Sequence, residues 1–172
     1  MVNEQMVNHR MITLLIILTI MSFFHKNKAA EPNDLPNVCK MEYRVRGTVM
    51  YPLMYFILKK AENEERYWLF NASNCDETNA RKIEVPKSFA DSVRQIVAEE
   101  KMLEYSSYYK PPYQVLDGIT WSMYIGFEDR KTSVYSGGHE EYPAGDGLSR
   151  LEKLCRETWK ANEDKALPAP LE

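Results

Sequence analysis

Apolar and polar positions along the chain follow strand and helix periods in separate blocks. From Glu42 to Tyr51, the residues Tyr43, Val45, Val49 and Tyr51 alternate with charged or small neighbours. That is a half-buried strand, with Gly47 a position for a bulge and Pro52 a stop. Two short apolar runs follow, Leu53 to Leu58 and Arg66 to Phe70, joined by a charged loop suited to a hairpin. Turn formers fill 71–81, and Ile83 and Val85 suggest one more short strand. A helix is then expected. Ser88 and Asp91 have capping-box spacing, Phe89, Val93, Ile96 and Val97 share one face, and the helix should end near Tyr105.

The clearest strand comes later. Trp121, Met123, Ile125 and Phe127 alternate with Ser122, Tyr124 and Gly126 after the turn signal Asp117-Gly118. Lys131 to Ser136 returns as its partner and Gly137-Gly138 breaks it. A last helix carries a second capping box at Ser149–Glu152 and an apolar face of Leu148, Leu151, Leu154, Cys155 and Trp159. The order β-β-β-(β)-α-β-β-α predicts an α+β fold: an antiparallel sheet built from hairpins, with two helices packed on one face. Trp121 and Trp159 are expected in the core.

Met11 to Phe24 carries no charge. A transmembrane helix needs about 20 apolar residues and a signal-peptide core about 7–15. Residues 1–30 therefore read as a signal peptide or a short membrane anchor, and the location as secreted, periplasmic or membrane-tethered. Residues 31–41 read as a polar linker, 42–160 as a single domain and 161–172 as a flexible tail.

Composition sharpens this picture. The 172 residues include 22 basic and 25 acidic side chains. Residues 1–30 hold three of the basic and one of the acidic, so the remainder has 19 against 24, a net charge of −5. A mildly acidic domain without a basic stripe in its sequence argues against nucleic acid as partner. Three cysteines are present. An exported chain permits disulfides and an odd count leaves one thiol over. Cys39 and Cys75, both in loop-like sequence, are the candidate pair, and Cys155 is a candidate buried thiol.

The segments VLDGITW (Val115 to Trp121) and GGHEEYP (Gly137 to Pro143), with the alternating strand between them, resemble a loose group of uncharacterised exported bacterial domains. The likeness covers roughly Val85 to Pro143. It implies export and fold type, and no functional residue.

Candidate chemistry is sparse. His139-Glu140-Glu141 is the sole His-plus-acid cluster in the sequence, a metal or general-base site if its side chains converge and otherwise a solvated loop. There is no Gly-x-Ser-x-Gly elbow and no phosphate-binding glycine loop. No cofactor and no metal are expected. Asn71-Ala-Ser73 fits the N-glycosylation pattern, which matters only in a eukaryotic source. The segment Tyr105 to Tyr113 is the most suggestive: Tyr108, Tyr109 and Tyr113 offer rigid rings with polar tips beside two prolines. Those rings form either a contact surface or packing over a sheet edge. The resulting expectation is a non-enzymatic exported domain that binds a protein or glycan, touching a membrane only through its N-terminal segment. A small secreted inhibitor or structural domain is the alternative, and a thiol or metal-dependent hydrolase using Cys75 or His139 a further one.

Overall fold

The computed structural model describes residues 34–47, 54–61, 65–72, 79–115 and 117–169. The expected leader lies outside them. Among the described residues, no helix is long and apolar enough to cross a membrane.

Four strands come first: β1 (Val38–Arg46), β2 (Met54–Lys60), β3 (Tyr67–Asn71) and β4 (Arg81–Val85). Helix α1 (Lys87–Glu99) follows, then β5 (Thr120–Phe127), β6 (Ser133–His139), α2 (Gly147–Asn162) and β7 (Leu167–Pro168). All strands join one antiparallel sheet in the order β6-β5-β1-β2-β3-β4-β7. The expected α+β architecture is therefore present. β1 is the element that unites it, pairing with β2 on one side and with β5 on the other.

Strand alternation sends Met41, Tyr43, Phe56, Leu58, Leu69, Ile83, Trp121, Met123 and Ile125 to one face. Phe89, Val93 and Val97 of α1 and Leu148, Leu151, Cys155 and Trp159 of α2 pack on them as one core. Both tryptophans expected in the core are buried, at 3% and 8% exposure. Tyr67 is tolerated inside because its hydroxyl donates to the Val38 carbonyl at 3.0 Å. Burial pushes the Cys155 thiol up to about 12, which keeps it a neutral apolar side chain.

Several boundaries differ from the sequence pattern. The linker expected over 31–41 is in part structural: Leu35 is buried, and β1 already begins at Val38 because Val38 and Met41 fill the inner face. The tail expected over 161–172 is also in part structural. A 3-10 turn at Glu163–Lys165 buries Ala166, whose carbonyl accepts from Arg81 at 2.8 Å, and β7 then pairs with β4. Neither capping box forms. α1 starts two residues early, after Pro86, whose fixed φ already suits a helix entry, so Ser88 lies inside the helix and Asp91 pairs with Arg94 instead. α2 starts after Asp146, and Ser149 donates back to the Asp146 carbonyl. α1 stops at Glu99, because Lys101 turns left-handed (φ 50°).

The two helices are tied where α1 ends. Arg150 bonds Glu99 at 2.6 Å and Glu100 at 2.7 Å. Glu99 is held below its ordinary 4.5 by the Gln95 amide and then by Arg150. Glu100 is held low by Arg150 and then by the Asp146 backbone N–H. Carboxylates with lowered folded values contribute stability above their unfolded value and lose it as pH falls through the folded one. Arg150→Ala should therefore unfold at lower urea than wild type at pH 7, and the gap should close as the pH falls well below 4.5. Urea midpoints at neutral and acid pH check this; an equal gap at both would contradict it.

Candidate functional site

The opposite face of the sheet, which we call the outer face, has a different character. A smaller apolar cluster of Tyr55, Ile57, Ala72 and Ala80, with Phe70 against it, occupies the β2–β3 side. Toward β1, β5 and β6 the face is open: Arg46, Thr120, Ser122, Ser133 and Tyr135 are exposed, Tyr135 to 66%. The alternation that fills the inner face with apolar groups puts Lys40, Arg44, Arg46, Lys59 and Lys82 on the outer one, against the acids Glu42 and Glu84. Among the described strand residues of this face the excess is three positive charges, in a chain whose net charge is −3. Four of these cations lie over aromatic rings of the same face. Arg44 sits 4.0 Å from the Tyr55 centroid and Lys82 4.6 Å from Trp68. Lys59 is 5.4 Å from Phe70 and Lys40 5.8 Å from Tyr124. Lys40 also bonds Glu42 at 2.6 Å, and that bond is the main reason its pKa is raised.

Cross-strand register assembles the open end of this face. Arg44 stands opposite Ser122 and Ser122 opposite Gly137; Arg46 stands opposite Thr120 and Thr120 opposite His139. Direct neighbours of this kind are about 5 Å apart. Arg44, Arg46, Thr120, Trp121 and Ser122 line a pocket of about 180 Å3. The Thr120 hydroxyl donates to the Arg46 carbonyl at 3.4 Å. Beyond Ser122 the row continues to Gly137, which has no side chain and is buried.

The segment carrying the candidate tyrosines runs along the outside of β6. The Tyr109 N–H donates to the Gly137 carbonyl at 2.8 Å, the His139 N–H to the Tyr109 carbonyl at 3.0 Å, and the Gly137 N–H to the Ser107 carbonyl at 3.1 Å. The Ser136 hydroxyl adds a 2.7 Å bond to the Ser106 carbonyl. These bonds satisfy the edge of β6 and split the tyrosines. Tyr109 turns inward, 6.5 Å from Tyr105 and 6.0 Å from Trp121 between ring centroids. Its neighbour Tyr108 falls on the outer side by the alternation of an extended segment and is 58% exposed. Tyr113 is 68% exposed, after the buried Pro111.

His139-Glu140-Glu141 converges only in part: His139 Nε2 and Glu140 Oε1 both lie against Gly118, 2.9 and 2.6 Å from where a Cβ would stand there. His139 ends β6 on the outer face; Glu140 accepts from the Ile119 N–H; the Glu141 carbonyl accepts from Trp121 Nε1 at 2.8 Å. Among the described residues, no group of three or more His, Cys, Asp or Glu side chains is placed to hold a metal ion. Cys39 carries a free thiol that donates to the Gly126 carbonyl at 3.4 Å. Cys75 lies outside the described residues. The arginine pair was hidden in the sequence: the strand pattern over 42–51 places Arg44 and Arg46 on a polar face, but only the β1–β5 pairing brings Thr120 and Ser122 to them. The chain matches no family model and no curated protein.

Proposed function

We propose that this chain is a non-enzymatic, exported binding domain whose outer sheet face holds an acidic glycan. The observation that carries the reading is the segregation of charge: five basic side chains against two acidic ones among the described strand residues of one face, in an acidic protein. Such a patch attracts an anionic partner and does nothing for the core behind it. The chemistry of the open end favours a glycan over other polyanions. Single-stranded nucleic acid stacks successive bases on a run of exposed aromatic faces; here the rings of Tyr55 and Trp68 are taken by Arg44 and Lys82, and Tyr135 is the exposed ring of the described outer-face strands. A stable protein interface wants an apolar centre, and the open end offers hydroxyls and the exposed Arg46 side chain instead. Serine and threonine hydroxyls both donate and accept, as sugar hydroxyls do.

The expected result is retention on immobilised polygalacturonate at about 0.01 M salt and release toward 1 M, where charges are screened beyond about 3 Å. Lys40→Gln/Arg46→Gln should elute earlier while keeping the wild-type melting temperature. Passage of wild type through the column at low salt would refute the reading.

A further inference from the structure

We infer that this chain pairs with a second copy of itself through the open half of β6, the strands running antiparallel about a two-fold axis at Val134. The strap from Ser106 to Tyr109 satisfies the edge of β6 along its second half only, with its backbone bonds on Gly137 and His139. In an antiparallel ladder, alternate residues turn their N–H and C=O to the same side. Tyr135 and Ser133 therefore point theirs outward, as Gly137 does. Among the described residues, no backbone group bonds them there. A row of such groups is a template for another strand.

The occupant follows from how the sheet's edges differ. β7 is two residues long and contains Pro168, and β4 behind it carries Arg81, Lys82 and Glu84. Short strands, proline and charge guard an edge. Ser133-Val134-Tyr135 has neither charge nor proline, and Tyr135 is 66% exposed. The stretch is also complementary to itself. A two-fold at Val134 sets Ser133 of each copy opposite Tyr135 of the other, so every outward N–H and C=O finds a partner, and the Tyr135 rings become diagonal neighbours within reach of contact. The same register brings Lys131 of one copy level with Gly137 of the other, so one hairpin ends where the other's strap begins. Charge agrees. Arg130 and Lys131 are exposed, and Asp129 beside them is spent on its own turn. They approach the exposed Glu104 of the second copy, on the turn that lies against β6. Closed two-fold dimers of this kind are the commonest assemblies.

Such an axis stands perpendicular to the sheet, so the outer faces of both copies look the same way. An acidic polymer on one face can continue onto the second, which raises its hold by avidity. That consequence rests on the proposed glycan binding; the pairing itself does not.

Sedimentation velocity of the full chain, from micromolar to near-millimolar concentration, tests the pairing. Wild type should pass from monomer to dimer, at the high end because so small a contact makes a weak, transient interface. Tyr135→Lys puts a guarding charge on the edge and should weaken the dimer about tenfold or more. Tyr135→Pro removes an outward N–H, a change that edge strands accept, and should do the same. Leu167→Lys adds the same charge at the other edge, where Leu167 is 52% exposed, and should leave the dimer unaltered. Circular dichroism verifies that the variants fold. Amide hydrogen exchange locates the contact: Ser133 and Tyr135 should be protected in the dimer and open in the monomer, and Gly137 protected in both because Ser107 holds it. A monomer at every concentration would overturn the inference. So would a dimer that Tyr135→Lys leaves intact, one that Leu167→Lys weakens equally, or one in which Ser133 and Tyr135 exchange as fast as in the monomer.

Discussion

Trp121→Ala should lower the melting temperature by roughly 10 °C or more. Trp121 is 3% exposed and holds one end of the domain together. Its ring lies 5.8 Å from Tyr142, nearly parallel at 10°, and 6.0 Å from Tyr109, which in turn meets Tyr105 edge-on. The indole N–H donates to the Glu141 carbonyl at 2.8 Å. Removing the ring leaves a cavity, strips two aromatic neighbours of their contact and orphans the carbonyl. Deleting a core tryptophan costs about 3–5 kcal/mol, and each kcal/mol shifts the midpoint by several degrees in a domain of this size. Thermal melts followed by circular dichroism read the result; a midpoint within two degrees of wild type would show Trp121 to be peripheral.

Gly138→Ala should destabilise the same end of the sheet, by about 1–3 kcal/mol, the usual cost of overpacking. A Cβ at position 138 would stand 2.5 Å from Trp121 Nε1 and 2.5 Å from the Glu141 carbonyl oxygen, far inside contact distance. The glycine is needed for close approach. The cost should depend on the indole: in a Trp121→Ala background, where the ring no longer blocks the methyl, Gly138→Ala should cost less. A double-mutant cycle from urea midpoints should give a coupling of about 1 kcal/mol or more. Strictly additive losses would mean that the backbone at Glu141, and not the indole, sets the requirement.

The patterns that were legible in the sequence are those one element can display alone. Trp121, Met123, Ile125 and Phe127 alternate because one side of β5 faces the helices, and that alternation needs no partner to be seen. The apolar stripes of α1 and α2 were legible for the same reason. What could not be read was decided by pairing. β1 is followed in sequence by β2, yet it also takes β5, and Thr120 meets Arg46 across 74 residues. Until that pairing is known, Arg44 and Arg46 are two charges on the polar side of a half-buried strand. β7 was illegible because it is two residues long and contains a proline; it exists through its partner β4. The tyrosine segment was half legible. Its rings and prolines marked it out, but only the bonds from Tyr109 to Gly137 and His139 decide that Tyr109 turns in and Tyr108 out. The capping boxes misled because the spacing of Ser88–Asp91 and Ser149–Glu152 also occurs inside a helix, where Asp91 pairs with Arg94, Ser149 donates back to the Asp146 carbonyl and Glu152 pairs with Arg156.

The most direct test of the central claim is an amide chemical-shift titration of isotope-labelled protein with tetragalacturonate. Glycan binding on the outer face predicts shifts that move together to saturation at Lys40, Arg46, Thr120 and Ser122, with α1 and α2 unmoved. Shifts confined to the helices, or none at saturating sugar, would contradict it.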